Sequence, residues 1–366
     1  MVNFSDFLGN QATVRRLRET LAAGRLPSAM ILSGSRGAGK YTLAVLLAQA
    51  ANCLTPITTD GLRDACGVCA NCERIGASLS LDERFAEAVA AREEMRDADK
   101  KDTRILIQTH PDLLIIPPDP PQLLIKLGQV RAVISRMYRR PAQAQRAFYI
   151  FTASAFMKEA ANSLLKVLEE PPEHATLILL AENPSELLPT IRSRAGVLRL
   201  DALPATEIDA LLAARRPELK AAERTLVGRL AEGAVGRAIG FDLPAYLASR
   251  QDALIVLHTS LAEPDYSTLF RMTETYRAGA EGAGKTSGML HALTLLLEDL
   301  LLVHSGVPAL VRNTDLVKEL SRMAQGITPQ WIEAASRGVD QVEAGMRRNL
   351  LRSLSLDAFA TGLPVR

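Results

Sequence analysis

At 366 residues, with 48% apolar and 23% charged residues, the chain has the length and composition of two or three soluble globular domains, each able to bury its own core. A net charge of +2 is too mild to announce nucleic-acid binding by bulk charge, so any DNA contact has to be local. Leu295-Leu296-Leu297 is followed at once by Glu298-Asp299, no run of eighteen apolar residues occurs, and no basic region precedes an apolar one at the N-terminus. These features argue against a membrane span or a secretory leader and predict a cytoplasmic protein.

In chain order, Val14, Leu17 and Leu21 recur at helical spacing before Gly24-Arg25, which predicts an amphipathic helix ahead of a first strand, Ala29-Met30-Ile31-Leu32. Gly34-Ser35-Arg36-Gly37-Ala38-Gly39-Lys40 follows, then a helix-like stretch from Leu43 to Ala48. That is the strand, glycine loop and helix order in which backbone N–H groups and a lysine surround phosphates. Gly34, Gly37, Gly39, Lys40 and Thr42 are the candidate ATP or ADP ligands, and the sequence leaves occupancy open. The position after the lysine should carry a Ser or Thr hydroxyl for Mg²⁺. Tyr41 stands there instead, and Thr42 is one residue too far along.

All four cysteines fall within twenty residues, Cys53 and then Cys66, Cys69 and Cys72 as C-x2-C-x2-C. In a cytosolic chain such a cluster argues for structural zinc, because four thiolates close a tetrahedral site and leave no position for catalysis. An Fe–S cluster takes the same ligands, and free thiols are the third possibility. From about 77 to 106 the chain is a highly charged insertion, and Asp82 to Arg104 is expected to be a solvated helix or a mobile segment without a function.

Apolar runs at Asp112 to Ile116, Phe148 to Phe151 and Thr176 to Leu180 alternate with helical patterns, predicting a parallel sheet covered on both faces. Hydrolysis of a nucleotide also needs a carboxylate at the end of a neighbouring strand. Ala147 to Phe151 runs on into Thr152-Ala153-Ser154-Ala155 with no acid before Glu159, so the chain reads as a nucleotide fold without the means to cut nucleotide. His110-Pro111-Asp112 reads as packing, and Arg131, Arg136, Arg139 and Arg140 as a solvated helix face in preference to a DNA contact. Glu169 and Glu170 read as the solvated last turn of a helix stopped by Pro171 and Pro172. A boundary is expected near Leu200 to Pro204, and Ala205 to Pro364 reads helical with a break at Gly240 to Pro244, giving domains at 1–200, 201–243 and 244–366. Gly279-Ala280-Glu281-Gly282-Ala283-Gly284-Lys285-Thr286 matches the phosphate-loop pattern even better than Gly34 to Lys40. It follows a polar helical pattern and not a buried strand, so it is expected to be an interhelical loop that binds no nucleotide.

The string Asn162-Ser163-Leu164-Leu165-Lys166-Val167-Leu168-Glu169-Glu170-Pro171-Pro172 is followed by Thr190-Ile191-Arg192-Ser193-Arg194. With the loop at Gly34, the four-cysteine knuckle and His110-Pro111-Asp112-Leu113, these stretches resemble the bacterial clamp-loader subunits of DNA polymerase III. The likeness covers about the first 240 residues well and the remainder only as a helical tail. It implies an AAA+ α/β P-loop domain with a zinc knuckle, a helical lid and an all-α collar. Two kinds of subunit share these motifs, the gamma/tau motor ATPase and the non-hydrolysing delta prime. The chain departs from the motor at Tyr41, at Phe151-Thr152 where the motor has its acidic pair, and at Ala181-Glu182 where it has sensor threonines. The stretch Glu232-Gly233-Ala234-Val235-Gly236-Arg237 also resembles delta prime, since the motor's lid arginine falls on Gly236. An active gamma/tau-like ATPase is the alternative.

The same resemblance implies that Ser193-Arg194 supplies an arginine in trans to the ATP site of an adjacent subunit, although Ala195 replaces the cysteine usual after it. Taken outside the motif, Arg194 would read as a strand cap or an acid's partner. The implied partners are the motor subunits and delta in a five-subunit ring, and through them the sliding clamp and primer-template DNA.

Overall fold

The computed structural model describes residues 3–261, 265–276, 279–348 and 350–363, so Pro364, the last residue of the expected helical stretch, lies outside them. The chain divides into two units, Met1–Glu207 with Gly233–Arg237, and Ile208–Glu232 with Ala238–Arg366.

The first unit carries strands β1 (Ala29–Ser33), β2 (Ile57–Thr59), β3 (Leu62–Asp64), β4 (Ile107–His110), β5 (Leu113–Ile116), β6 (Ala147–Phe151), β7 (Ala175–Ala181) and β8 (Gly196–Arg199). Its helices are α1 (Gln11–Ala22), α2 (Lys40–Asn52), α3 (Ala70–Gly76), α4 (Leu81–Glu93), α5 (Asp97–Asp102), α6 (Leu127–Met137), α7 (Lys158–Glu169) and α8 (Pro189–Arg192). Six strands form one sheet in the order β4-β5-β6-β7-β1-β8, parallel throughout except for β4 against β5, while β2 and β3 pair as a separate hairpin. The expected α/β P-loop domain is therefore present.

Residues of β1, β5, β6 and β7 are buried end to end, which is why these strands read as unbroken apolar runs. Alternate side chains serve opposite faces. Met30, Leu32, Phe148, Ile150, Ile178 and Leu180 share a core with α1 and α2, whereas Ile31, Tyr149, Phe151, Leu177 and Leu179 pack with α6 and α7. Each such side chain contributes about 1.5–3 kcal/mol on burial, so the register Ile31↔Leu179, Ile150↔Ile178 is firmly specified. Parallel pairing sets the carboxyl ends of β1, β6 and β7 side by side, where open α/β sheets bind ligands.

The charged insertion differs from expectation. Arg92, on α4, is buried and reaches the fully buried Asp119 carboxylate at 2.7 Å, which also meets Lys126 at 3.0 Å and the Ile105 N–H at 3.2 Å. One residue of the charged run is thus tied into the core by a buried ion pair, and the segment is not merely solvated.

The second unit is helical among its described residues, with long helices at Leu243–Leu261, Gly279–His304 and Pro329–Arg347. The glycine-rich segment from Gly279 is not the interhelical loop expected: it forms the first turns of the 26-residue helix Gly279–His304. Lys285 Nζ donates to Thr275 Oγ1 at 2.9 Å and lies 4.6 Å from the Tyr276 ring centre, and the buried Thr286 hydroxyl donates to Gly282 O. By length and composition Gly282–His304 could also cross a membrane, and 56% of that window is buried. Asp299 on it is fully buried and accepts the N–H groups of Arg312 and Asn313, as expected of a core helix.

Candidate functional site

The phosphate loop leaves β1 at Ser33 and is pinned to the next strand by the Gly34 N–H, shared between Ala181 O and Glu182 O at 3.3 and 3.2 Å. Gly34 and Gly37 have positive φ, 150° and 84°, and a Cβ on either would sit 2.4 Å from Leu200 O or 2.8 Å from Arg237 N, so only glycine fits. Gly39 N-caps α2 without any side-chain cap, leaving the first backbone N–H groups of a 13-residue helix aimed into the site. Gly37, Gly39, Lys40 and Thr42 border a cavity of about 570 Å³ together with Thr152, Ser154, Glu182 and Glu186; Gly34 lies behind it.

Lys40 Nζ is folded onto its own loop, donating to Gly34 O at 2.6 Å and Ser35 O at 2.9 Å. Burial pulls its pKa down from the usual lysine value, opposed by the charges of Glu182 and Glu186. Tyr41 also borders the cavity, but its hydroxyl is spent on Ser78 O, to which it donates at 2.7 Å, and burial pushes its pKa up. The side chain replacing the metal-binding hydroxyl is thus a strut between α2 and the turn after α3.

The carboxyl end of β6 carries Thr152 and Ser154 and no acid, as the sequence indicates, yet the cavity beside it holds one that sequence reasoning passed over. Glu186 closes a capping box with Asn183 in the short turn after β7. One carboxylate oxygen accepts the Asn183 N–H at 3.1 Å and the other the Ser154 hydroxyl. Asn183-Pro184-Ser185-Glu186 announces the turn locally. Only the adjacency of β6 and β7 brings its acid to Ser154.

The four cysteine sulfurs all lie within 4.8 Å of one another. Cys53 caps α2, Cys69 precedes α3 and Cys72 lies within it, so two helices and the intervening hairpin converge on one point. Cys53 and Cys69 sulfurs are 3.9 Å apart, against about 3.8 Å for two thiolates tetrahedrally bound to one zinc at ~2.3 Å. Backbone N–H groups of Leu54, Cys66 and Cys69 point at sulfurs at 3.3–3.4 Å, and the Thr55 hydroxyl donates to Cys66 at 3.2 Å, drawing that thiol down to about 6. Burial pushes the Cys53 and Cys72 thiols up while donors aimed at sulfur favour thiolate at Cys66, and it is the closeness of the four sulfurs that fits an ion held by four thiolates.

Arg194 follows α8 and does not border the cavity of its own chain. Its guanidinium donates to Thr190 O at 3.0 Å, to Ser193 Oγ at 3.3 Å and to Glu169 Oε1 at 2.8 Å. Ser193 Oγ donates to Thr190 O at 3.1 Å, so Ser193 helps to fix the arginine's stem. Glu169 is accordingly not only a solvated helix end, while Glu170 is exposed. His110 is buried, its Nδ1 accepting the Asp112 N–H at 3.1 Å and its Nε2 meeting Asn71 Oδ1 at 3.2 Å, and the Asp112 carboxylate accepts the N–H groups of Ala142, Gln143 and Ala144. That trio is packing. Arg131, Arg139 and Arg140 are exposed, and Arg136 donates to Gln108.

Residues 9–204 match the family described as DNA polymerase III, delta subunit. DNA polymerase III subunit tau of Escherichia coli K12 is 29% identical over 206 residues, 56% of this chain and 26% of that protein. Subunit delta′ of Bacillus subtilis 168 is 30% identical over 186 residues, 50% of this chain and 45% of the relative. The chain thus spans less than half the length of these relatives. Among solved structures, a gamma subunit-related protein of Thermotoga maritima covers 95% of this chain and 97% of its own at 15% identity and a TM-score of 0.39, and the B. subtilis clamp loader delta protein covers 95% and 98% at 12% and 0.31.

Proposed function

The chain belongs to the DNA polymerase III delta-subunit family, within the clamp-loader group that includes gamma/tau and delta′, and we propose that it is a delta-prime-type member, supporting clamp loading without hydrolysing nucleotide itself. The observation that carries the reading is a phosphate loop with both metal-handling groups gone: Tyr41 spends its hydroxyl on Ser78 O, and β6 runs out into Thr152 where an acid would hold the metal. The division into a nucleotide-type domain, a lid at 201–243 and a collar at 244–366 is part of the same proposal.

Its active contribution is Arg194, offered to the ATP site of a neighbouring motor subunit. A planar guanidinium there neutralises charge developing on the transferred γ-phosphoryl group, an effect worth several orders of magnitude in rate. Exposure of the Ser193-Arg194 corner, outside its own cavity, supports action in trans. The proposed partners are motor subunits, delta, and through them the sliding clamp and primer-template DNA, all in the cytoplasm. Zinc on Cys53, Cys66, Cys69 and Cys72 would hold the knuckle and supply no chemistry. ATP or ADP at Gly34, Gly37, Gly39, Lys40 and Thr42 is not required by this role.

A second reading, an active gamma/tau-like ATPase, is favoured by one observation, the Glu186 carboxylate in the same cavity as Lys40 and Thr42. Purified chain without partners separates the two. The delta-prime reading expects phosphate release at background, and sustained turnover abolished by Lys40→Ala would establish the ATPase.

A further inference from the structure

We propose that Glu186 is the gate of the phosphate loop: its carboxylate, fixed beside the carboxyl end of β6, keeps anions off Lys40 and the α2 N-terminus, so that the loop binds nucleotide phosphate weakly although its backbone is intact. The inference rests only on Gly34 to Lys40 being a phosphate loop, and not on the chain's place in a clamp loader.

The backbone part of an anion site is complete. The glycine loop has its left-handed residues, α2 begins without a side-chain cap, and Thr42 borders the cavity. The charge balance is what differs. Lys40, the loop's cation, shares the cavity with two carboxylates, Glu182 and Glu186, and both act on its ammonium. With Tyr41 in place of the hydroxyl that would help a divalent cation to settle, those carboxylates face a nucleotide's phosphates with less metal charge between them. Both carboxylates border the cavity while exposed to solvent, so their repulsion of a bound anion is partly screened and weakens with added salt.

Glu186 is distinguished from Glu182 by how it is held. Each of its oxygens already accepts a hydrogen bond from the chain, one from the Asn183 N–H and one from the Ser154 hydroxyl, so the side chain is locked over the cavity. Held in this way, the carboxylate is less free to turn toward a cation than an unbonded one. Lys40 meanwhile is satisfied by Gly34 O and Ser35 O, and Gly37 O by the Gly236 N–H at 2.8 Å, so the loop keeps its shape without phosphate.

The test is calorimetric titration of the full-length chain with ADP, with and without Mg²⁺. Glu186→Gln keeps an acceptor for Asn183 and a partner for Ser154 while removing the charge, so the fold should hold, checked by an unchanged melting temperature. Expected is ADP binding at least tenfold tighter in Glu186→Gln than in wild type in both buffers, with the gain lost in the Lys40→Ala/Glu186→Gln double variant. Equal affinities, or no binding by either protein, would overturn the proposal. Weaker binding by Glu186→Gln confined to the magnesium buffer would overturn it too, by making Glu186 a metal ligand, and so would a gain that survives Lys40→Ala, which would put the nucleotide elsewhere. A clamp loader indifferent to Arg194 would leave this result untouched.

Discussion

Removing metal from the cysteine cluster should soften the first unit without touching any catalytic step. The cluster is continuous with the core: Cys53 and Cys72 are buried, the fully buried Ala65 and Ile75 belong to the same core, Gln49 donates to Cys72 O at 2.8 Å and Asn71 to Asn52 O at 3.0 Å. An ion that binds only the folded state adds RT ln(1 + [L]/Kd), about 4 kcal/mol when free metal exceeds Kd a thousandfold. The unit comprises Met1–Glu207 and Gly233–Arg237, and in a domain of this size 1 kcal/mol moves the melting temperature by roughly 2–4 °C. Chelation should therefore lower the midpoint by roughly 8–16 °C, and Cys69→Ser should do the same while reducing metal content. Gln49, Asn71 and the Arg18 contacts to Thr59 and Leu62 persist without metal, so the unit should stay folded at room temperature. Elemental analysis and scanning calorimetry with and without chelator make the measurement. About one zinc per chain and a lowered midpoint are expected; no metal, iron with a visible charge-transfer band, or a midpoint indifferent to chelation would rule out a structural zinc at this cluster.

Asp112→Ala leaves the N–H groups of Ala142, Gln143 and Ala144 without their acceptor and should cost about 3 kcal/mol by urea denaturation, given ~1–3 kcal/mol for each polar group left unmade and some compensation by water. His110 is held below the ordinary imidazole pKa by burial first and the Arg74 charge second, so the folded state prefers it neutral. The sign follows: its contribution is complete above about pH 6.5, the unfolded value, and is lost as pH falls through the lower folded value. Urea midpoints from pH 7.5 to 5 should fall less steeply in His110→Gln than in wild type; parallel curves would remove His110 as the cause. Lys285→Ala should cost under about 1 kcal/mol for one cation–π contact and one half-exposed pair, and should leave nucleotide affinity unchanged by the same titration.

What could be read from the sequence was what is locally encoded. β5, β6 and β7 announce themselves because both faces are buried and every residue is apolar or small. β8, with three exposed residues in four, and the three-residue strands of the β2–β3 hairpin carry no such run and were invisible. The glycine-rich segment at Gly279 misled for the opposite reason: its glycines disfavour helix by up to about 1 kcal/mol each, and the long helix they begin is held by packing further along. Average charge concealed Arg92, whose partner Asp119 lies 27 residues away. At the site, the glycine loop, the cysteine spacing and the acid-free end of β6 were legible because each is one contiguous pattern. The Glu186–Ser154 contact and the Arg194–Glu169 pair were not, since they join segments 32 and 25 residues apart that only the strand order and the packing of α7 against α8 bring together.

Arg194 is proposed to act on a neighbour's nucleotide. Its pair with Glu169 is half-exposed and worth at most about 1 kcal/mol, so Arg194→Ala should leave folding and ring assembly intact. The measurement is a clamp loader reconstituted with wild-type or Arg194→Ala chain, assayed for DNA- and clamp-stimulated ATP hydrolysis and for clamp loading. Expected are a partial loss of total hydrolysis, because one neighbouring site is affected, a larger loss of loading, and incomplete rescue by Arg194→Lys, whose ammonium lacks the planar fork of donors. Unchanged clamp loading by Arg194→Ala in an intact ring would contradict it and leave Arg194 as the structural partner of Glu169.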